Sequence, residues 1–189
     1  MQKKFSRRKF LKTTAISSGG LMIGMLFPGI LVRAADVDDC LFFQPNPFIR
    51  IDTKGMVTLF VPKQEMGQAV NTSLPTIIAE ELDCDFRAIK TEIAPFGTLK
   101  PGQHNVGASQ SLVSMWEPLR KAGAVAKAML ISAAAKRWQM PENHCAADNG
   151  TIVNTITLDS FTYGELVCDA AKMPIPETVA LKNFKDFNK

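Results

Sequence analysis

Apolar and polar residues alternate over Phe48-Ile49-Arg50-Ile51-Asp52 and again over Met56-Val57-Thr58-Leu59-Phe60-Val61, the two-residue period of strands. Thr53-Lys54-Gly55 joins the two runs, and Gly55 can take the positive φ that a tight turn demands. A β-hairpin is therefore predicted to open the fold. After Pro62, the polar run from Lys63 to Ala69 reads as a turn. Thr72 or Ser73 then caps a helix with Pro75 in its first turn, and Ile77, Ile78, Ala79 and Leu82 form its apolar face. This helix stops near Asp83. From Ala88 to Ala94 the period returns to two, with Ile89 and Ile93 expected inward and Lys90, Thr91 and Glu92 between them.

Pro95 to Gly107 holds two prolines and three glycines, a long loop of the kind that lines a site or has no order. From Leu112 to about Trp138, Met115, Leu119, Ala122, Ala126, Met129, Leu130, Ala133 and Ala134 recur at threes and fours, the spacing of a helix with one buried face. Pro118 either kinks this helix or marks the first turn of a second one, and the alanines imply close contact with another element. Asn149-Gly150 signals a hairpin between Cys145–Ala147 and Thr151–Val153. Thr162-x-x-Glu165 matches a capping box that starts a helix from Tyr163 to about Lys172. Val179 to Phe187 offers nothing obvious to pack against and reads as the beginning of an unfinished domain. The expected class is α/β (α+β), with β-hairpins packed on a long alanine-rich helix.

At 189 residues, 46% hydrophobic and 21% charged, the chain is sized for one globular domain; a disordered tail, a collagen-like repeat and a polytopic membrane protein are excluded. The net charge of +4 is misleading, because residues 1–35 hold Lys3, Lys4, Arg7, Arg8, Lys9, Lys12 and Arg33 and no acid. The rest of the chain is acidic on balance, which argues against a nucleic-acid partner. Cys40, Cys84, Cys145 and Cys168 are scattered without a Cys-x-x-Cys pair, so no zinc or iron–sulfur site is expected on this chain. They read as small buried hydrophobes, although four cysteines also allow any of three disulfide connectivities. His104 and His144 have no carboxylate at a spacing that suggests a metal site or a triad.

The basic start is followed by an uncharged stretch from Thr13 to Val32 and by Arg33-Ala34-Ala35, the zones of an export signal. Ser6-Arg7-Arg8-Lys9-Phe10-Leu11-Lys12 resembles a twin-arginine signal, which implies passage to the periplasm in a folded state. Residues 1–35 are thus expected to be a signal and 36–189 the body. Left uncleaved, the signal would serve as a membrane anchor, and it is the only expected contact with a membrane.

Two loops share one layout. Gly67-Gln68-Ala69 precedes the first helix, and Gly107-Ala108-Ser109-Gln110-Ser111 precedes the long one. Small residues there expose backbone N–H groups at a helix start, an arrangement that either caps the helix or cradles an anion. Ser109 and Ser111 add hydroxyls, and Gln68 adds an amide able to donate and accept.

Pro45-Asn46-x-Phe48-Ile49-Arg50-Ile51-Asp52, Val61-Pro62-Lys63-x-Glu65-Met66-Gly67-Gln68, Thr72-Ser73-Leu74-Pro75, Ala79-Glu80-Glu81-Leu82-Asp83, Trp116-Glu117-Pro118-Leu119-Arg120 and Tyr163-Gly164-Glu165-Leu166 together resemble the molybdopterin-binding subunit of the xanthine dehydrogenase family. Within that family the likeness is to large (beta) subunits of the isoquinoline 1-oxidoreductase or aldehyde dehydrogenase type. It implies a molybdenum–molybdopterin cofactor in its cytosine dinucleotide form, contacted by Gly67, Gln68 and Ala69 and by Ala108, Ser109, Gln110 and Ser111. It also implies oxidation of aldehydes or N-heteroaromatics with water as oxygen source. Electrons would leave to a small [2Fe-2S] subunit and on to a cytochrome c acceptor. Ala69 stands where the family usually has a second glycine, which matters if that position needs positive φ. The family's catalytic glutamate lies in a distal Gly-Glu segment with no counterpart here. Glu65, Glu80, Glu81 and Glu165 read as surface or capping residues, and no catalytic residue is assigned. The resemblance thus implies an amino-terminal portion that needs the remainder of the large subunit. The rival reading is an exported, non-catalytic binding or scaffold module.

Overall fold

The computed structural model describes residues 40–95, 97 and 104–187. The expected export signal lies outside them. The fold is mixed α and β, as the periodicity predicts, and contains the long helix. Strands β1 (Phe42–Asn46), β2 (Ile49–Asp52), β3 (Val57–Val61) and β4 (Lys90–Ile93) form one sheet in that order. The first three run antiparallel, while β3 and β4 are parallel and joined through helix α1 (Val70–Leu82).

The predicted hairpin is β2–β3, with Ile49 opposite Leu59, Ile51 opposite Val57 and Gly55 at φ +83°. It does not open the fold, because β1 precedes it. Pro45 breaks the alternation there, and proline is tolerated since β1 is an edge strand. Ile49, Ile51 and Leu59 point to the helices and are fully buried. On the opposite face the Arg50 guanidinium covers the Phe60 ring at 5.0 Å. Strand β4 is the other edge, so Ile93, expected inward, is 70% exposed, whereas Ile89 packs against the core.

Helix α2 spans Gln110–Trp138 as one element through Pro118. Its small face sets how closely α1 approaches: a Cβ on Gly123 would lie 2.9 Å from Glu81 Cβ and 3.2 Å from the Ile78 carbonyl. Leu74, Ile78 and Leu82 of α1 meet Met115, Leu119, Ala126 and Leu130 of α2 in the core. Each large aliphatic side chain so buried stabilises the fold by about 1.5–3 kcal/mol. The contacts progress in step along both helices, Gly123 facing Ile78 and Glu81 and Lys127 reaching Asp83, so the pair runs parallel.

Strands β5 (Cys145–Asp148), β6 (Thr151–Asn154) and β7 (Ser160–Thr162) form a second, antiparallel sheet. Its first turn is Asn149-Gly150, both at positive φ. Helix α3 (Tyr163–Ala170) then starts on the predicted capping box, Thr162 and Glu165 each bonding the other's backbone N–H. Tyr163 is buried and donates its hydroxyl to the Leu82 carbonyl, tying α3 to the end of α1. Gly164 abuts the β2–β3 turn so closely that a Cβ there would sit 2.5 Å from the Gly55 nitrogen.

The closing segment departs from expectation. It adds no strand, yet it packs back on the helix pair: Phe184 stacks on Trp116 with ring centroids 6.1 Å apart, and Lys182 Nζ reaches Asp83 at 2.6 Å. Isolated aromatic rings and Lys182 carry this contact without a repeating apolar spacing, which is why no period announced it.

Candidate functional site

The first bend is organised by Glu65. Its Oε1 accepts from the N–H groups of Gly67 at 2.8 Å and Ala69 at 3.0 Å, and its Oε2 from that of Asn71 at 3.1 Å. The carboxylate therefore stands at the start of α1, where the helix dipole and unpaired donors favour negative charge. The Asn71 N–H bond, followed by those of Ala69, Gly67 and Gln68, holds its carboxyl below the ordinary range. Gln68 is likewise turned onto the loop: its Nε2 donates to the Gln64 carbonyl at 2.7 Å, and its Oε1 accepts from the Met66 N–H at 2.6 Å. Helix α1 begins earlier than Thr72 or Ser73 would allow. Its N-cap is Ala69, left-handed at φ 62°, and Pro75 sits inside the helix. Alanine gives no capping signal, and side-chain capping is replaced by Glu65 reaching in from the loop.

The second bend shares the left-handed N-cap of the first, without the internal carboxylate. Ala108 and Ser109 are both left-handed, at φ 49° and 56°, and the Gln110 N–H returns to the Gly107 carbonyl at 3.0 Å. Ser109 is the N-cap of the 29-residue α2 but makes no side-chain capping bond, and the first turn carries no acidic residue. Ala108, Ser109 and Gln110 are exposed and Ser111 half-buried.

Lys63 joins the bends. It stands two residues after the buried strand β3, is 4% exposed, and donates Nζ to the Asn105 carbonyl at 2.7 Å. Burial lowers its pKa. The two helix starts also share a cleft of about 320 Å³, lined by Ser73 and Ile77 from α1, Leu112 and Trp116 from α2, and Phe187. Ser73 and Leu112 come just after the first and second bend, so both bends open at one end of the helix pair. Lys63 had no assigned role from sequence; a lysine two residues after an all-buried strand was the available signal.

At the far end of the cleft, Glu81 is not a surface residue. It is fully buried and paired with Arg120, itself 7% exposed, because α2 supplies the charge it needs. Arg120 also donates to the Lys182 carbonyl, Glu81 accepts the Lys182 N–H at 3.1 Å, and the rings of Trp116, Phe184 and Phe187 surround the guanidinium at 5.3–5.7 Å. Burial works against the Lys182 charge, but bonds to Asp83 and Glu80 outweigh it and raise the pKa.

The molybdopterin cofactor-binding domain family matches residues 15–188. The chain is 31% identical over 185 residues to the beta chain of isoquinoline 1-oxidoreductase from Brevundimonas diminuta, a match covering 93% of this chain and 23% of that one. It is 32% identical over 143 residues to one of the subunits of nicotinate dehydrogenase from Pseudomonas putida, covering 74% and 12% respectively. Among solved structures, quinoline 2-oxidoreductase from Pseudomonas putida 86 has the same fold over 66% of this chain and 16% of its own, with a TM-score of 0.52 and 16% identity. The chain therefore spans less than a quarter of the length of these relatives.

Proposed function

Because the chain belongs to the molybdopterin cofactor-binding domain family, we propose that it is the segment of a molybdenum hydroxylase large subunit that grips the anionic part of the cofactor at the start of α2. The observation that carries this reading is the contrast between the two bends. A carboxylate of the chain itself already fills the donors of the first, whereas the second starts a 29-residue helix with no side-chain cap and no acid in its first turn. Such a donor set fits a phosphate or pyrophosphate. The N–H groups of Ala108, Ser109 and Ser111, the two serine hydroxyls and the Gln110 side-chain amide would hold that charge, the Gln110 N–H being already given to the Gly107 carbonyl. Gly67, Gln68 and Ala69 would form the facing wall, with Lys63 fixing the spacing through Asn105.

When bound, the cofactor would supply the two-electron oxidation of a carbon centre with water as oxygen source. This chain's residues would orient it and keep its charged arm from solvent. The names of relatives, built on isoquinoline, nicotinate and aldehyde, support an aldehyde or an N-heteroaromatic as substrate of the complete enzyme. The cytosine dinucleotide form, a [2Fe-2S] partner subunit with a cytochrome c beyond it, and twin-arginine export to the periplasm belong to the same proposal, supported by the family likeness and by Arg7-Arg8.

The test is metal and pterin analysis of the complete protein isolated from the periplasm. Wild type should carry molybdenum and pterin in equal amounts. Replacing Ser109 and Ser111 together with alanine should lower pterin occupancy about tenfold, the loss of one or two bonds to a charged group. Wild-type protein free of both would favour the scaffold reading. Full loading of the double variant would remove the second bend from the cofactor site.

A further inference from the structure

We propose that Cys40 and Cys168 are a disulfide pair that closes under oxidising conditions, pinning the chain just ahead of β1 to helix α3. Of the three connectivities open to four cysteines, the fold brings this pair together. Cys40 lies two residues before β1, and Cys168 is the sixth residue of α3. The Cys168 thiol donates to the Cys40 carbonyl at 3.4 Å across 128 positions of sequence. The two thiols also interact directly, and both residues are half-buried, so an oxidant can reach them. Cys145 is buried in the core, and none of the four is bonded in this structure.

The protonation state makes closure slow at neutral pH even when an oxidant is present. Burial and the hydrogen bond with Cys168 push the Cys40 thiol up to about 11, and a protonated thiol is a poor nucleophile. Closure then needs a small disulfide of the oxidised-glutathione class. Its S–S bond breaks and the Cys40–Cys168 bond forms. The two protein thiols give up two electrons and two protons, and the oxidant leaves as two thiols. A closed loop of this length restricts the unfolded chain strongly. The pair is independent of cofactor binding and reports instead on the compartment the protein has entered.

The full chain, equilibrated with oxidised glutathione at mildly alkaline pH, alkylated and cut with trypsin and a glutamyl endopeptidase, decides the matter. The Cys40 peptide ending at Arg50 and the Cys168 peptide spanning residues 166–172 should be recovered as one species, two hydrogens lighter than their sum, that separates on reduction. Oxidation should raise the Tm by roughly 10 °C. The rise should vanish in Cys168→Ser and in Cys40→Ser. Recovery of the two peptides separately alkylated or glutathionylated, a link from Cys40 to Cys84 or Cys145, or a Tm rise that survives in Cys168→Ser would each overturn the pairing.

Discussion

The two ends of the α1–α2 pair treat charge in opposite ways. At the end where α1 stops, Glu81, Arg120, Lys182, Asp83 and Lys127 form a connected set whose members satisfy one another, with Arg120 enclosed by aromatic rings. At the end where both helices start, α1 is neutralised by Glu65 while α2 presents its first turn without a carboxylate. One end is complete within the chain; the other is half complete. The difference teaches that helix starts sharing a left-handed N-cap become unlike binding surfaces through one side chain reaching in from a preceding loop.

The largest expected effect comes from breaking the complete end. Arg120→Met keeps much of the volume but leaves the Glu81 carboxylate buried and uncompensated. The expected cost is about 3–5 kcal/mol, read as a shift in the urea midpoint of the full chain. Adding Glu81→Leu should recover most of the loss, since an apolar pair of similar size replaces the ions. A single-variant cost below about 1 kcal/mol would mean that the clasp does not hold the helices.

The same contrast divides what could be read from the residues alone. Gly55, Asn149-Gly150 and the Thr162–Glu165 box declare their geometry within four residues, and the turns and cap appear where those residues stand. The small-residue pattern of both bends was equally local. Where the bends differ was not, because the fate of the α1 donors depends on how Glu65 folds back through a turn. Nor could Glu81, Arg120 and Lys182 be matched from periodicity, as they are 39 and 62 positions apart and meet only after the helices pack. Strand β1 escaped because Pro45 interrupts its alternation, and the closing segment because its ionic and aromatic contacts follow no repeating apolar spacing.

An intermediate effect, confined by pH, tests the self-filled bend. The folded carboxyl of Glu65 lies below its ordinary value of about 4.3, so its stabilisation is complete above that value and is lost as pH falls through the folded one. Glu65→Gln should therefore lower stability most at neutral pH, and the gap from wild type should close in acid. The measurement is a series of urea midpoints from neutral pH down into the acid range. A gap of constant size across that range would assign the role to shape rather than charge.

The smallest expected effect concerns the residue at which the first bend departs from glycine. Ala69 holds a left-handed conformation at φ 62°, which costs an L-residue roughly 1–2 kcal/mol. Glycine removes that strain but adds about 0.4–1 kcal/mol of unfolded-state freedom. Ala69→Gly should therefore stabilise the chain by about 0.5–1 kcal/mol, visible as a small upward shift in the urea midpoint. Gly67→Ala, at φ +96° with no neighbouring atom to obstruct a methyl, should move stability the other way through backbone strain alone. If Ala69→Gly instead destabilises, the methyl group contributes more through contact than its conformation costs. The first bend would then owe its shape to packing at that side chain rather than to the Glu65 bonds.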